Sequence, residues 1–283
     1  MSSGPDGSPI TIPDGLFPLH LRPSRSTYIR EIRERRMFAV RMPLHQMRAQ
    51  NLNSALGMLW FLLNPLLLVA VYYIFFGLLL DTNRGVDNFL TFLAAGVFTY
   101  TFIQRSISSS SKTMITNVGL IRAIRFPRAI LPIAEVVEQF FTQIPVILAL
   151  LMVAIITGET PDVRWLVLAP LLLLQAVFAL GAGFILARWT TVLRDVQNLL
   201  PFIFRLVFYM SGVLYSVENF VTDPTLRRLF YLNPFYDQIV LVRWAVLGYP
   251  ASGWALIGAV AYALGALVLG FEYFRRGEPY GKA

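Results

Sequence analysis

An all-α integral membrane protein is the fold class this sequence predicts, and three observations carry it. Of 283 residues, 56% are apolar and only 14% charged, against roughly 25% charge in a soluble domain. The mean hydropathy is positive, +0.61. The apolar residues are also laid down in blocks of bilayer-spanning length, about 20 residues, instead of alternating with polar faces. An ordinary soluble enzyme, a DNA-binding domain and a disordered tail are excluded.

Residues 1–25 are rich in Gly, Pro and Ser, lack an apolar core of signal-peptide type and read as a flexible cytoplasmic tail. Residues 26–50 read as an N-terminal amphipathic interfacial helix. Glu31 and Arg35 stand at the favourable i, i+4 spacing, Tyr28, Ile29 and Ile32 share a side, and the arginines, Arg30, Arg33 and Arg36 among them, suit an anionic inner leaflet. The transmembrane domain, 56–274, then holds six predicted spans. They are Leu56–Leu80; about Asn88 to Ser111, with Arg105; about Ile130–Ile156, with Glu135 and Glu138; Trp165–Leu186; Val196–Leu214, with Arg205; and Trp254–Phe271. Residues 275–283 form a second cytoplasmic tail.

Basic residues set the orientation. With the N-terminus inside, seventeen Arg and Lys face the cytoplasm and five, Arg243 among them, face out. Both termini are therefore expected in the cytoplasm and the protein in the plasma membrane. Between spans five and six, Asp223-Pro224 and Asn233-Pro234 each place a capping side chain before a proline at the first helical position, and Gly248 suits a helix end. Two short helices over 222–248 follow. A further full crossing there would put the basic C-terminus outside, so the pair is expected to be re-entrant, dipping in from the outer face.

Between spans two and three, residues 119–127 read as a short amphipathic helix. Leu120, Ile121 and Ile124 share one face, Arg122 and Arg125 another, and Phe126-Pro127 ends it. It suits either a docking element or a surface turn with topogenic arginines. Span-embedded charges invite a functional reading, although Glu135 and Glu138 fit a structural ion pair as well as a proton relay. Aromatic side chains gather toward the outer half: Tyr72, Phe98, Phe230, Tyr231, Phe235 and Tyr236, with Asn233 between the short helices. They suit an outer gate and channel lining, because aromatic faces pack on sugar rings.

Catalytic machinery is not evident. The sequence contains no Gly-x-x-x-x-Gly-Lys-Ser/Thr loop, no His-Glu-x-x-His and no Gly-x-Ser-x-Gly. It has no cysteine and only two histidines, His20 and His45, so no catalytic residue and no metal site is assigned. Nucleic acid is not an expected partner, since the net charge of +8 follows membrane topology.

The run Asn117-Val118-Gly119-Leu120-Ile121-Arg122 through Phe126-Pro127-Arg128-Ala129-Ile130-Leu131-Pro132, then Arg194-Asp195, Gly212-Val213-Leu214-Tyr215 and Leu232-Asn233-Pro234, resembles ABC-2 type permeases over about residues 28 to 275. Within that family it looks like the subunits that export lipid-linked polysaccharide of the O-antigen, teichoic acid and galactan types. The arginine-rich, lysine-poor composition favours the actinobacterial galactan exporters. The resemblance implies a homodimer of permeases with two separate ATPase subunits, ATP and magnesium on those partners, and no cofactor in this chain. It also implies that the interfacial helix and residues Leu120 to Phe126 contact the ATPase. Arg30, Arg33 and Arg36 would meet the pyrophosphate of a polyprenyl-linked glycan. The turn at Gly212 departs from the Pro-Ile-x-Tyr form common in relatives. Two other classes fit the same topology: an ABC-2 drug or lipid exporter, and a membrane-embedded glycosyl- or acyltransferase relying on Asp81, Asp87, Glu159 or Asp162.

Overall fold

The computed structural model describes residues 24–39, 57–79, 85–124 and 126–278. Every regular element among them is helical. In chain order they are α1 (Arg25–Glu34), α2 (Trp60–Tyr72) continued by a π-helical stretch Tyr73–Leu79, α3 (Phe89–Thr116) and α4 (Val118–Ala123). Then come α5 (Ile130–Ile156), α6 (Leu168–Val192) behind a 3-10 turn Val163–Val167, and α7 (Val196–Met210). The chain closes with α8 (Val217–Phe220), α9 (Pro224–Phe230), α10 (Pro234–Leu247) and α11 (Gly253–Gly277).

Four described helical stretches are long and apolar enough to cross a membrane: Trp60–Leu79, Ile130–Ile156, Val163–Val192 and Gly253–Gly277. Where the sequence predicts the second and fifth spans, the structure has α3, 28 residues long but less apolar, and α7, apolar but of 15 residues.

The bundle is organised around α3. Every residue from Thr91 to Ile103 is buried, enclosed by α2, α5, α6 and α10. Its start is pinned by Asn88. The Oδ1 of Asn88 accepts from the Thr91 N–H at 3.2 Å, while Nδ2 donates to Thr157 Oγ1 at 2.8 Å and Glu159 Oε1 at 3.0 Å, holding the end of α5. On the other side α6 packs along α11, and glycine permits the approach. A Cβ at Gly181 would overlap the Ala266–Leu267 backbone, and one at Gly270 would overlap the Gly181 carbonyl. Membrane helices without a hydrophobic drive to associate rely on such close backbone contact.

The two proline-capped helices form as the sequence predicts. Asp223 Oδ1 accepts from Thr225 N at 2.7 Å and Asn233 Oδ1 from Phe235 N at 3.0 Å. Gly248 ends α10 in the left-handed region, φ 72°. The first helix is shorter than its expected nine residues, with seven. The second, α10, is wedged against α3 and α11 and buries most of its length.

Candidate functional site

At one end of the bundle a second apolar cluster joins Tyr28, Met114, Ala129, Leu131, Phe184, Ala187 and Phe274. Here α1, the α4–α5 connection and the end of α11 meet. Helix α1 starts because Ser24 accepts from the Thr27 N–H at 3.2 Å. It turns fully buried Tyr28 inward, with Ile32 partly covered, while Ile29 points out at 53% exposure. Arg30, Arg33 and Arg36 are all exposed. Within the helix Arg30 pairs with Glu34 at 3.9 Å. Residues 40–56, the remainder of the expected interfacial segment with its flank, lie outside the described residues.

Tyr28 is held by a polar knot. Its hydroxyl donates to Glu278 Oε2 at 2.6 Å and accepts from Ala129 N at 3.3 Å. Glu278 Oε1 accepts from the Arg128 N–H at 3.1 Å, with the Arg128 guanidinium at 3.8 Å. Glu278 is only 6% exposed. Burial pushes its carboxyl above the usual range, and the bonds from Tyr28 and Arg128 hold part of that shift back. In the sequence Glu278 falls in the expected tail and carries no signal of this role. Beside this knot Glu272 takes Arg25, Arg275 and Arg276 at 3.2, 2.9 and 2.7 Å, a second tie between α1 and α11.

The expected docking helix divides into two groups. Helix α4 ends at Ala123 and Ile124 is extended. Leu120, Ile121 and Phe126 lean on the protein's own apolar cluster, whereas Arg122 and Ile124 are exposed, Ile124 at 47%. Arg125 lies outside the described residues. The outward surface here therefore consists of Val118, Gly119, Arg122, Ala123 and Ile124 rather than the whole predicted apolar face.

At the opposite end and in the bundle's middle, the aromatic candidates are packed against one another. Phe235 is buried between Tyr100, Phe178 and Phe204, with ring centroids at 5.1, 5.8 and 6.4 Å. Tyr236 meets Phe230 and Tyr231 at 5.4 Å each. Tyr72 stacks on Phe208 at 5.4 Å, and Phe98 lies buried in the core. Asn233, besides capping α10, donates to Ser211 Oγ at 2.9 Å and ties the short helices to the end of α7.

Arg243, which the charge count assigns to the outer loops, is 4% exposed and central to this end. It donates to the carbonyls of Phe92, Gly212 and Val213 at 3.3, 2.9 and 2.8 Å and lies 3.3 Å over the Phe92 ring. Gly96 leaves the room it needs, since a Cβ there would stand 2.7 Å from Arg243 Nη2. A single cation inside an otherwise apolar helical run was the signal available in the sequence. The same residue borders a cavity of about 200 Å3, shared with Ser216, Glu218, Tyr236 and Tyr249. Among the described residues Glu135 and Glu138 form no ion pair; Glu135 faces the Ser109 hydroxyl.

The arrangement has one end pinned at α1, a glycine-tight helical bundle and an aromatic-packed opposite end, and among the described residues no cluster of metal-ligating side chains. A model of the family described as ABC-2 type transporter matches residues 45–247. The chain belongs to the ABC-2 type transporter family. The match runs from before α2 to the end of α10, so α1, α11 and the Tyr28–Glu278 bond lie outside it, while Arg128 and Ala129 lie within. Among relatives, the chain is 30% identical to the O-antigen export system permease protein RfbA of Klebsiella pneumoniae over 195 residues, 68% of this chain and 73% of that one. It is 25% identical to the protein of the same name from Myxococcus xanthus over 206 residues, 73% and 78% of the two chains. To the polysialic acid transport protein KpsM of Escherichia coli it is 24% identical over 242 residues, 83% and 91% of the two.

Proposed function

We propose that this ABC-2 chain is the membrane permease subunit of a polysaccharide exporter, moving a polyprenyl-pyrophosphate-linked glycan of O-antigen or galactan type outward across the plasma membrane. One observation carries this: the likeness to relatives named as O-antigen export permeases covers about seven-tenths of both chains. ATP hydrolysis belongs to a separate subunit in this reading, consistent with the missing phosphate-cradling loop. Two copies of the chain work with two ATPases. Helices α3 and α7 complete six spans, both termini are cytoplasmic, and α9 with α10 forms the re-entrant pair. The exposed Arg122 and Ile124 face the ATPase, while Arg30, Arg33 and Arg36 receive the pyrophosphate. Phe230, Tyr231, Phe235 and Tyr236 close the outer end as a packed aromatic plug that must open for the glycan.

Depletion of the chain in its own cells tests the reading. Lipid-linked glycan should accumulate on the inner leaflet while surface glycan falls, and the tagged chain should purify with an ATPase. Unchanged glycan on both sides, with a lipid or drug retained instead, would reject polysaccharide in favour of another ABC-2 cargo.

A further inference from the structure

Helix α3 changes character at residue 104. From Thr91 to Ile103 it is enclosed on all sides, but from Gln104 onward one face is uncovered. That face carries Gln104, Arg105, Ser108, Ser109 and Lys112, at spacings of three and four that keep them in one stripe. It is about 12 Å long at 1.5 Å per residue. Helix α5 continues it: Glu135, Gln139 and Thr142 share a partly exposed face, and Glu135 meets Ser109 across the seam. The opposite side of α5 is uncovered and apolar, with Phe141, Ile144, Leu148, Met152 and Ile155. The outer face of α11 is likewise apolar, through Leu256, Ile257, Leu264 and Val268.

Lipid does not suit the stripe. A lysine or arginine facing hydrocarbon is costly even on the mildest insertion scale, and neither Arg105 nor Lys112 has an ion-pair partner among the described residues. An anion-specific site does not suit it either, because cations alternate with Glu135 and with hydroxyl and amide groups. Hydroxyls and amides that both donate and accept match water and a polyhydroxyl chain. We infer that the polar face shared by α3 (104–112) and α5 (135–142) is the wall of a water-filled passage in the inner half of the bilayer, along which the hydroxyl-rich glycan slides. This rests on the export reading above, and places the hydrophilic path on a face distinct from the packed aromatics.

Because the chain has no cysteine, single replacements report cleanly. Ser108→Cys and Gln139→Cys would be compared with Leu148→Cys and Met152→Cys in inverted membrane vesicles, using a membrane-impermeant maleimide. A thiol reacts as its thiolate, which forms in water and not in lipid, so the first pair should label about tenfold faster or more. Equal, slow labelling at all four positions overturns the proposal. So does efficient oxidative cross-linking of Ser108→Cys between two copies without maleimide reactivity, which would make the stripe a subunit interface. Surface glycan measured in the same cells separates the two readings. Labelling in cells whose surface glycan never depended on the chain leaves the aqueous wall and rejects glycan export. Unlabelled stripe positions with export intact reject the wall alone.

Discussion

Replacing Tyr28 with Phe removes one oxygen and leaves the ring against Phe271, whose centroid is 5.9 Å away. Two bonds disappear: the donor to Glu278 Oε2 and the acceptor for the Ala129 N–H. Both surviving groups are buried, so Glu278 Oε2 and the Ala129 N–H lose this partner without gaining water, while Arg128 stays on Glu278 Oε1. An orphaned buried polar group costs about 1–3 kcal/mol, with bonds to charged groups at the upper end, which gives about 2–4 kcal/mol for the knot. At 1.4 kcal/mol per decade, local opening of α1 should become about 30-fold to 1,000-fold more frequent. Hydrogen exchange of the amides over 25–34, in detergent or nanodiscs, reads this directly. Glu278→Gln should act on the same contact, so the double variant should fall short of the sum of the singles by about 0.5–3 kcal/mol. Acid titration gives the sign independently. A carboxyl raised in the folded protein binds its proton more tightly there than in the opened state. The Glu278 contribution to the protection of α1 should therefore be greatest below the ordinary carboxyl range and decline as pH rises through the raised value, a slope that Glu278→Gln removes. That slope runs opposite to the contribution of Glu272, whose carboxyl the arginines hold down. Wild-type exchange of α1 in Tyr28→Phe, or full additivity in the double variant, would refute the knot as the anchor of α1.

Gly181→Ala should press α6 off α11 and cost about 1–3 kcal/mol as an overpacked contact, seen as a lower unfolding temperature, while Gly265→Ala, which meets nothing within 4 Å, should be neutral. Arg243→Met should strand the Phe92, Gly212 and Val213 carbonyls and lower folded yield by more than 3 kcal/mol would imply, at about 1–3 kcal/mol per orphaned group; near-normal thermal stability would show that water takes over. Ile124→Asp should leave the isolated permease stable but weaken ATPase co-purification, whereas Leu120→Asp should destabilise the permease itself by putting a charge into its own cluster; identical behaviour of the two would dissolve the distinction drawn at α4.

Periodicity and punctuation made the helices legible. Proline after Asp223 and Asn233, and glycine at 248, specify α9 and α10 to within a residue or two because caps are local chemistry. The charge-free runs of α2 and α6 needed only hydropathy. What stayed hidden was set by distant partners. Leu120 and Ile121 look like a docking face in sequence, and only tertiary contact with Tyr28's cluster shows that they face inward. Arg243 sits where a topology count expects solvent, because carbonyls from two distant segments, Phe92 on α3 and Gly212–Val213 after α7, converge on it. Glu278 looks like tail composition until it is seen 250 residues away from Tyr28 yet bonded to it.

The central position of α3 has a consequence for how the protein is made. It is the most enclosed of the long helices, yet it is not among the four apolar enough to enter a bilayer on composition alone. A nascent α3 carrying Gln104, Arg105 and a run of serines would leave the insertion machinery reluctantly on its own. Its later neighbours α5 and α6, both strongly apolar, supply the surface that makes membrane residence favourable for it. On the six-span reading proposed above, α3 should therefore enter lipid efficiently only once α5 has been synthesised, in the company of helices translated after it.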